Sequence, residues 1–291
     1  MYKDNVIYIG DAAEKPVVIY PKMANRHGLI AGATGTGKTT TVKTVAESFS
    51  DAGVSVFIAD IKGDLSGIAV PGDTDYATSH PTNFWDVYGE MGMPLRTTIS
   101  DMGPLLLARI LDLNQTQTDI LTIIFKIADD QNLLLIDTKD LRAMLAYVSE
   151  NASDFSAEYG NISKASITTI IRAVITLEGE GGDMFFGEPN IDINDWFAKD
   201  ESGKGYIQVL DCQKLIHNPT MYSTMLLWML SEIYETLPEV GDVPLPKMVF
   251  FFDEAHMLFS NASKALLEKI EQVIKLIRSK GVGIFFITQS P

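Results

Sequence analysis

The chain has 291 residues, with 23 Lys or Arg against 38 Asp or Glu and a formal net charge of -15. Nucleic-acid binding is driven by Lys and Arg displacing counterions from phosphates, so this balance excludes a general nucleic-acid-coating protein and confines any DNA contact to local basic loops or an assembled pore. The single cysteine, Cys212, excludes an internal disulfide and reads as a small core residue, no apolar run reaches the ~18 residues of a membrane helix, and the start MYKDNVIYIGD lacks a basic end followed by an apolar h-region, so the expected location is the cytoplasm.

This length holds one large α/β domain, or a core with a sizeable insertion. Residues 17–20 and 29–30 read as short strands, the second running straight into Gly32. Residues 39–50 read as a helix, because Val42, Val45, Ala46 and Phe49 recur at spacings of three and four, with Gly53 as a stop. The β-branched and aromatic run 54–59 fits a buried parallel strand. Residues 61–100 are rich in Gly, Pro, Asp and Thr and read as loop-dominated. Residues 105–149 read as several helices, another spans 163–177, and a Gly-rich link follows at 179–182. Residues 206–211 read as a strand. Asn218 and Pro219 then open a helix to about 236, with a capping side chain and a proline in the first turn. The last elements are a strand at 248–252, an amphipathic helix at 263–280 (apolar at Leu266, Ile270, Val273, Ile274 and Ile277) and a strand at 283–288. Strands alternating with helices imply right-handed crossovers and a mostly parallel sheet flanked by helices. The helical stretch near 101–178 interrupts the alternation and reads as an insertion beside the core.

The strongest motif is Gly32-Ala33-Thr34-Gly35-Thr36-Gly37-Lys38-Thr39, which meets every defined position of G-x-x-x-x-G-K-[ST] between a strand and a helix. Glycines let backbone N–H groups turn inward around phosphate oxygens, and the helix N-terminus adds partial positive charge. Lys38 supplies a mobile cation for the β- and γ-phosphates, and the Thr39 hydroxyl is a Mg²⁺ ligand. Thr40 completes the nucleotide-binding stretch. The second motif is a buried strand ending in Asp253-Glu254. Asp253 is expected in the Mg²⁺ shell and Glu254 as the general base for the attacking water. His256 either couples the nucleotide state to a neighbouring loop or is an ordinary polar residue after the strand. Gln289, at the end of the last strand, either senses the γ-phosphate or lytic water or is an ordinary strand terminus. An arginine acting across a subunit interface is expected from the chemistry. Arg278 is the first choice and Arg172 its rival, each with a solvated helix-end cation as the alternative. Asp60 or Asp64, in the turn Asp60-Ile61-Lys62-Gly63-Asp64, either approaches the nucleotide or metal or shapes a structural turn. Lys164, Lys199 and Lys204 either line a pore or lie on solvated surface.

These residues resemble one family. The P-loop, the Asp60-Ile-Lys-Gly-Asp-Leu65 turn, Gly181-Gly-Asp-Met-Phe-Phe-Gly-Glu-Pro189, Leu227-Trp-Met-Leu-Ser-Glu232, Phe250-Phe-Phe-Asp-Glu-Ala-His256 and Ile277-Arg-Ser-Lys-Gly-Val-Gly283 look like the bacterial HerA-like ATPases of the HerA/FtsK superfamily. The resemblance implies a RecA-like P-loop core, here residues 1–100 and 201–291, with 101–200 as a mainly helical insertion. It implies ATP hydrolysis with Mg²⁺, a homo-oligomer in the form of a hexameric ring, double-stranded DNA as the thing moved, and a nuclease or other protein as partner. Lys38 and Thr39 match the Walker A positions, Asp253 and Glu254 the Walker B pair, Gln289 the polar sensor, and Arg278 the arginine before the sensor strand. Family members continue past the counterpart of Thr288-Gln289-Ser290-Pro291, so the C-terminal end of the family domain is expected to be absent here. A secretion- or conjugation-type motor docked on a membrane complex, and a nucleotide-gated binding module with little hydrolysis, are the alternative functions.

Overall fold

The structure, a computed structural model, describes residues 1–71, 79–241, 243–257 and 264–289. The chain opens with strands β1 (Tyr2–Lys3), β2 (Val6–Ala12) and β3 (Lys15–Ile19), which form a small antiparallel sheet. Both of its hairpins turn on two residues with positive φ, Asp4 (51°) and Asn5 (60°), then Ala13 (48°) and Glu14 (63°). That is the backbone of the primed turns that match strand twist. The expected strand at 17–20 therefore exists, but in this separate sheet.

The main sheet contains β4 (Gly28–Ala31), β5 (Ser55–Asp60), β6 (Thr82–Asp86), β7 (Met93–Pro94), β8 (Ile207–Asp211), β9 (Met248–Phe252) and β10 (Val282–Thr288). Their order is β4-β10-β9-β5-β8-β6-β7, and every pair is parallel. Strands β6 and β7 lie in the stretch read as loop. β6 hides because Thr82 and Asn83 break its apolar pattern. The Asn83 amide and the Trp85 indole both donate to Gln208 Oε1 on the neighbouring strand, at 3.2 and 2.8 Å.

Side-chain alternation divides the sheet's contacts. Val56, Ile58, Val249, Phe251 and Ile287 face helix α1 (Lys38–Asp51) and the small sheet, sharing a core with Val42, Val45, Phe49 and Ile7. Phe57, Ala59, Phe250, Phe252 and Ile284 face the opposite way. There they meet two long helices, α9 (Pro219–Thr236) and α10 (Lys264–Ile277), together with the helical stretch between β7 and β8. That stretch comprises α2 (Ile99–Met102), α3 (Pro104–Ile110), α4 (Gln115–Asp130), α5 (Thr138–Glu150), α6 (Ala152–Tyr159), α7 (Lys164–Leu177) and α8 (Asp183–Phe185). Local signals set several of its starts: Asn114 and Gln117 form a capping box on α4, Asp137 and Asp140 another on α5, and Ser163 caps α7. The stretch is not an appendage, because its residues continue the sheet's core. Phe57 is wholly buried between Trp196 and Phe250, with ring centroids 5.1 and 5.2 Å away.

One expected helix start needs correction, and another lies outside the described residues. Asn218 precedes α9, but its side chain makes no cap. Its amide donates to the Tyr88 hydroxyl at 2.8 Å, tying α9 to the loop after β6. For α10, the expected first residue Ser263 and the side chain of Leu266 lie outside what is described, as do Ser290 and Pro291.

Phe57 tests the shared core. Replacing it with Ala should cost ~3–5 kcal/mol, as large aromatic deletions in packed cores do, measured as a lowered urea midpoint. Leu134→Ala, at a position 75% exposed, should shift stability by no more than ~0.5 kcal/mol.

Candidate functional site

Parallel strands end at a common edge, and four of these ends build the site. Register fixes the arrangement. Thr288 pairs with Ala31, Phe286 with Phe252, and Phe252 with Ala59. The residues that follow each strand are thereby set side by side: Gly32 after β4, Gln289 after β10, Asp253 and Glu254 after β9. Gly32 N donates to Thr288 O at 3.3 Å and Asp253 N to Ala59 O at 3.4 Å, carrying the strand pairings one step past the sheet.

Between β4 and α1 the chain makes a tight loop. Gly35 and Gly37 sit at φ 79° and 89°, in the left-handed region that glycine tolerates. Thr36 folds back, its hydroxyl donating to Ala33 O at 2.8 Å. Lys38, the first residue of α1, sends its ammonium over the loop to Gly32 O at 2.6 Å and Ala33 O at 2.9 Å. A cleft of about 370 Å³ opens beside it, lined among others by Thr34, Gly35, Lys38, Thr39, Lys62 and Asp253. Gly37 and Asp64 also line it. Of the remaining loop residues, Thr40 is exposed and is not on the cleft wall.

The turn after β5 forms the opposite wall. Asp60 is buried and spends its carboxylate on Gly63 N (2.8 Å) and Leu65 N (2.9 Å), so it shapes the turn and does not face the cleft. Burial, with Asp64 and Asp211 nearby, pushes its carboxyl up against those two donors. Asp64 does face the cleft and accepts from the Thr39 hydroxyl at 3.1 Å. Lys62 is the residue that sequence reasoning missed. Its ammonium lines the cleft and forms an ion pair with Glu254 Oε1. The quoted turn contained Lys62, but nothing local signals a partner 192 positions away.

Asp253 and Glu254 are both buried, at 7% and 5% exposure. Glu254 adopts φ 43°, a conformation unusual for a residue with a Cβ. Its Oε1 accepts from Gln289 Nε2 at 2.7 Å as well as pairing with Lys62, and Gln289 Oε1 accepts from the Thr34 hydroxyl at 2.8 Å. Gln289 thus bridges the P-loop to Glu254. His256 Nδ1 lies 3.4 Å from Glu254 Oε2, so His256 sits beside this carboxylate. Burial pushes the Glu254 carboxyl up, but Lys62 and Gln289 together outweigh it and hold it below the usual range. Asp253 goes the other way: burial raises it and the charges of Glu254 and Asp64 add to this, opposed by Lys62 and the Glu254 amide. Lys62 is pushed up by its partner Glu254.

Arg278 stands apart from this edge. It is exposed on the turn Arg278–Lys280 that precedes β10, whereas Gln289 follows it. Seven residues of strand at ~3.3 Å each put ~23 Å between them, so Arg278 cannot reach its own chain's cleft. Arg172 is exposed on α7, and Lys204 pairs with Asp51 at 3.0 Å. Cys212 is fully buried, which pushes its thiol well up.

The residues present fit a nucleotide with Mg²⁺. The first N–H groups of α1 have no partner within the helix, and its N-terminus favours anions. A Cβ on Gly32 would meet the Thr36 hydroxyl oxygen at 2.6 Å, so the loop closes too tightly for a side chain there. Among the described residues, no three His, Cys, Asp or Glu converge as a protein-only metal cage. Mg²⁺ does not ask for one, because it normally takes one or two protein oxygens and completes its shell with phosphates and water. The Thr39 hydroxyl and the Asp253 carboxylate are that kind of set.

Comparison with known proteins agrees with this architecture. A sequence profile of the family described as "Helicase HerA-like C-terminal" matches residues 6–291. Among solved structures, the unbound bacterial conjugative coupling protein TrwB is similar, with 15% identity over 99% of this chain and 66% of that one, at a TM-score of 0.63. TrwB in complex with ADP and Mg²⁺ gives 16% identity, 100% and 69% coverage and a TM-score of 0.63. VirB4 of Thermoanaerobacter pseudethanolicus gives 15% identity, 100% and 78% coverage and a TM-score of 0.61. The chain thus spans about two thirds of TrwB's length and shares the RecA-like fold of both. No curated protein matches the sequence. Among the described residues, no helix is long and apolar enough to cross a membrane.

Gly32 offers a test of the cleft that leaves its polar groups in place. Gly32→Ala forces the Thr36 hydroxyl aside and should weaken binding of an ATP analogue at least ~10-fold, about 1.4 kcal/mol, by isothermal titration calorimetry. Unchanged affinity would mean that nucleotide binds elsewhere.

Proposed function

The chain belongs to the helicase HerA-like C-terminal family, and from that membership we propose that it is an ATP-hydrolysing motor domain whose catalytic site is the cleft between the P-loop and Asp253-Glu254. One observation carries the reading: Asp253 lines one cleft with Lys38 and Thr39, from which it is distant in sequence, and Glu254 pairs with Lys62 on the wall of that cleft. The structures of TrwB with ADP and Mg²⁺ and with non-hydrolysable analogues of GTP and ATP support a nucleotide in the equivalent fold.

In this reading the loop amides and Lys38 bind the β- and γ-phosphates, Lys38 exchanging the carbonyls of Gly32 and Ala33 for phosphate oxygens. Thr39 and Asp253 would hold Mg²⁺, which when bound would offset negative charge on the phosphate oxygens. Glu254 accepts a proton from the attacking water as the oxygen bonds to the γ-phosphorus and the bridging β–γ bond breaks. Gln289 orients Glu254 through one end of its amide and holds Thr34 with the other. Arg278 is too far from its own cleft, so it would serve a neighbouring chain's site, which fits assembly into a ring. The substrate moved is double-stranded DNA, through an assembled pore rather than a basic surface, since the net charge is -15. The same acidity favours a second reading, a motor that drives protein or conjugative transfer while docked on a membrane assembly.

Turnover assays separate these levels. Lys38→Ala should abolish ATP hydrolysis, and Glu254→Gln should lower kcat by ~10²–10⁴-fold, the usual contribution of a general base, while an ATP analogue still binds. Wild-type rates from either variant would remove the site assignment. A rate raised by duplex DNA supports the translocase, and a rate indifferent to it removes DNA in favour of the second reading.

A further inference from the structure

Glu254 is held in an arrangement that opposes its proposed work. Its Oε1 already carries two donors, the Lys62 ammonium and the Gln289 amide, the latter at 2.7 Å. Its Oε2 makes no hydrogen bond and lies 3.4 Å from His256 Nδ1. A carboxylate that takes a proton from water needs an oxygen the water can reach, and here Oε2 is buried while Oε1 is covered by Lys62 and Gln289. Something must therefore lift Lys62 away before the base can act.

The loop that carries Lys62 is built for such a move. The Asp60 carboxylate pins its backbone at Gly63 N and Leu65 N, at 2.8 and 2.9 Å. Beyond that fixed backbone, the Lys62 side chain is 43% exposed and lines the cleft beside Lys38 and Thr39. A lysine arm is flexible and its ammonium bonds in any direction, so a change of partner costs little geometry. A γ-phosphate seated in the cleft presents more negative charge than the single charge of Glu254. A diphosphate presents none at that position.

Building on the nucleotide site proposed above, we infer that Lys62 is a γ-phosphate sensor that exchanges partners. It rests on Glu254 when the cleft holds a diphosphate, and it moves to the γ-phosphate when a triphosphate is seated. The exchange frees Glu254 Oε1 only when there is a bond to hydrolyse, and Gln289 keeps the freed carboxylate in place. Lys62 is a phosphate-contacting residue in one position and a brake on the base in the other.

Calorimetric titration of the full chain with Mg·ADPNP and Mg·ADP tests this, using wild type, Lys62→Met, Glu254→Gln and the double variant. Loss of a charged contact to the γ-phosphate should weaken ADPNP binding by Lys62→Met about tenfold and leave ADP within about twofold. Glu254→Gln removes the competing partner, so it should tighten ADPNP several-fold and leave ADP unchanged. In the Lys62→Met background that tightening should vanish. Equal weakening of both nucleotides by Lys62→Met would assign it a purely structural role and overturn the exchange. So would a Glu254→Gln effect of the same size in both backgrounds, which marks simple removal of a nearby negative charge. If Lys62→Met does not fold, Lys62→Gln takes its place in the same cycle and the same outcomes support or overturn the exchange. A wild-type chain that binds neither nucleotide overturns the underlying site as well, a result distinct from all of these.

Discussion

The parallel register of three strands is the constraint on which everything else rests. β10 lies between β4 and β9, pairing Thr288 with Ala31 and Phe286 with Phe252. A slip of one residue would reverse which side chains face each core, and it would also separate Gly32, Gln289 and Glu254. The register is held from both faces by interlocked aromatic residues. Phe251 stacks with Phe285 at 5.3 Å in one core, while Phe252 lies against Phe286 at 6.0 Å on the other face. Packing between the strands thus fixes the geometry of the cleft at their ends.

On this frame the two adjacent acids acquire opposite characters. Asp253 is pushed up by burial and by its acidic neighbours, and Glu254 is held down by Lys62 and Gln289 despite its own burial. The unusual backbone of Glu254 belongs to the same picture. A left-handed residue between a buried strand and a helical turn aims its carboxylate sideways, toward Lys62 and Gln289, while Asp253 is left on the cleft wall.

Much of this was legible in the sequence because it is local. The glycines, lysine and threonine of the P-loop act within eight residues, and the buried run ending in Asp253-Glu254 announces its own strand. Several helices expected over 105–149 and one over 163–177 match α3, α4, α5 and α7. What stayed hidden depends on distant or context-bound partners. The hairpins of the small sheet turn on Ala13 and Glu14, residues without the usual Asn-Gly signature. β6 is stabilised by a shared buried glutamine, Gln208, and not by an apolar pattern. Asn218 looks like a cap and instead serves Tyr88. Lys62 finds its role only when β5 and β9 pair. Arg278, by contrast, was placeable in principle: a residue just before a parallel strand lies at the sheet edge opposite to one just after it.

The central claim is that one triphosphate lies between the P-loop amides and the Asp253-Glu254 pair. A crystal structure of the full chain with Mg·ADPNP tests it most directly. The account predicts phosphates on the amides that open α1, the metal between the Thr39 hydroxyl and the Asp253 carboxylate, and the γ-phosphate facing Glu254. A nucleotide bound elsewhere, or bound to the loop with its metal away from Asp253, would contradict it.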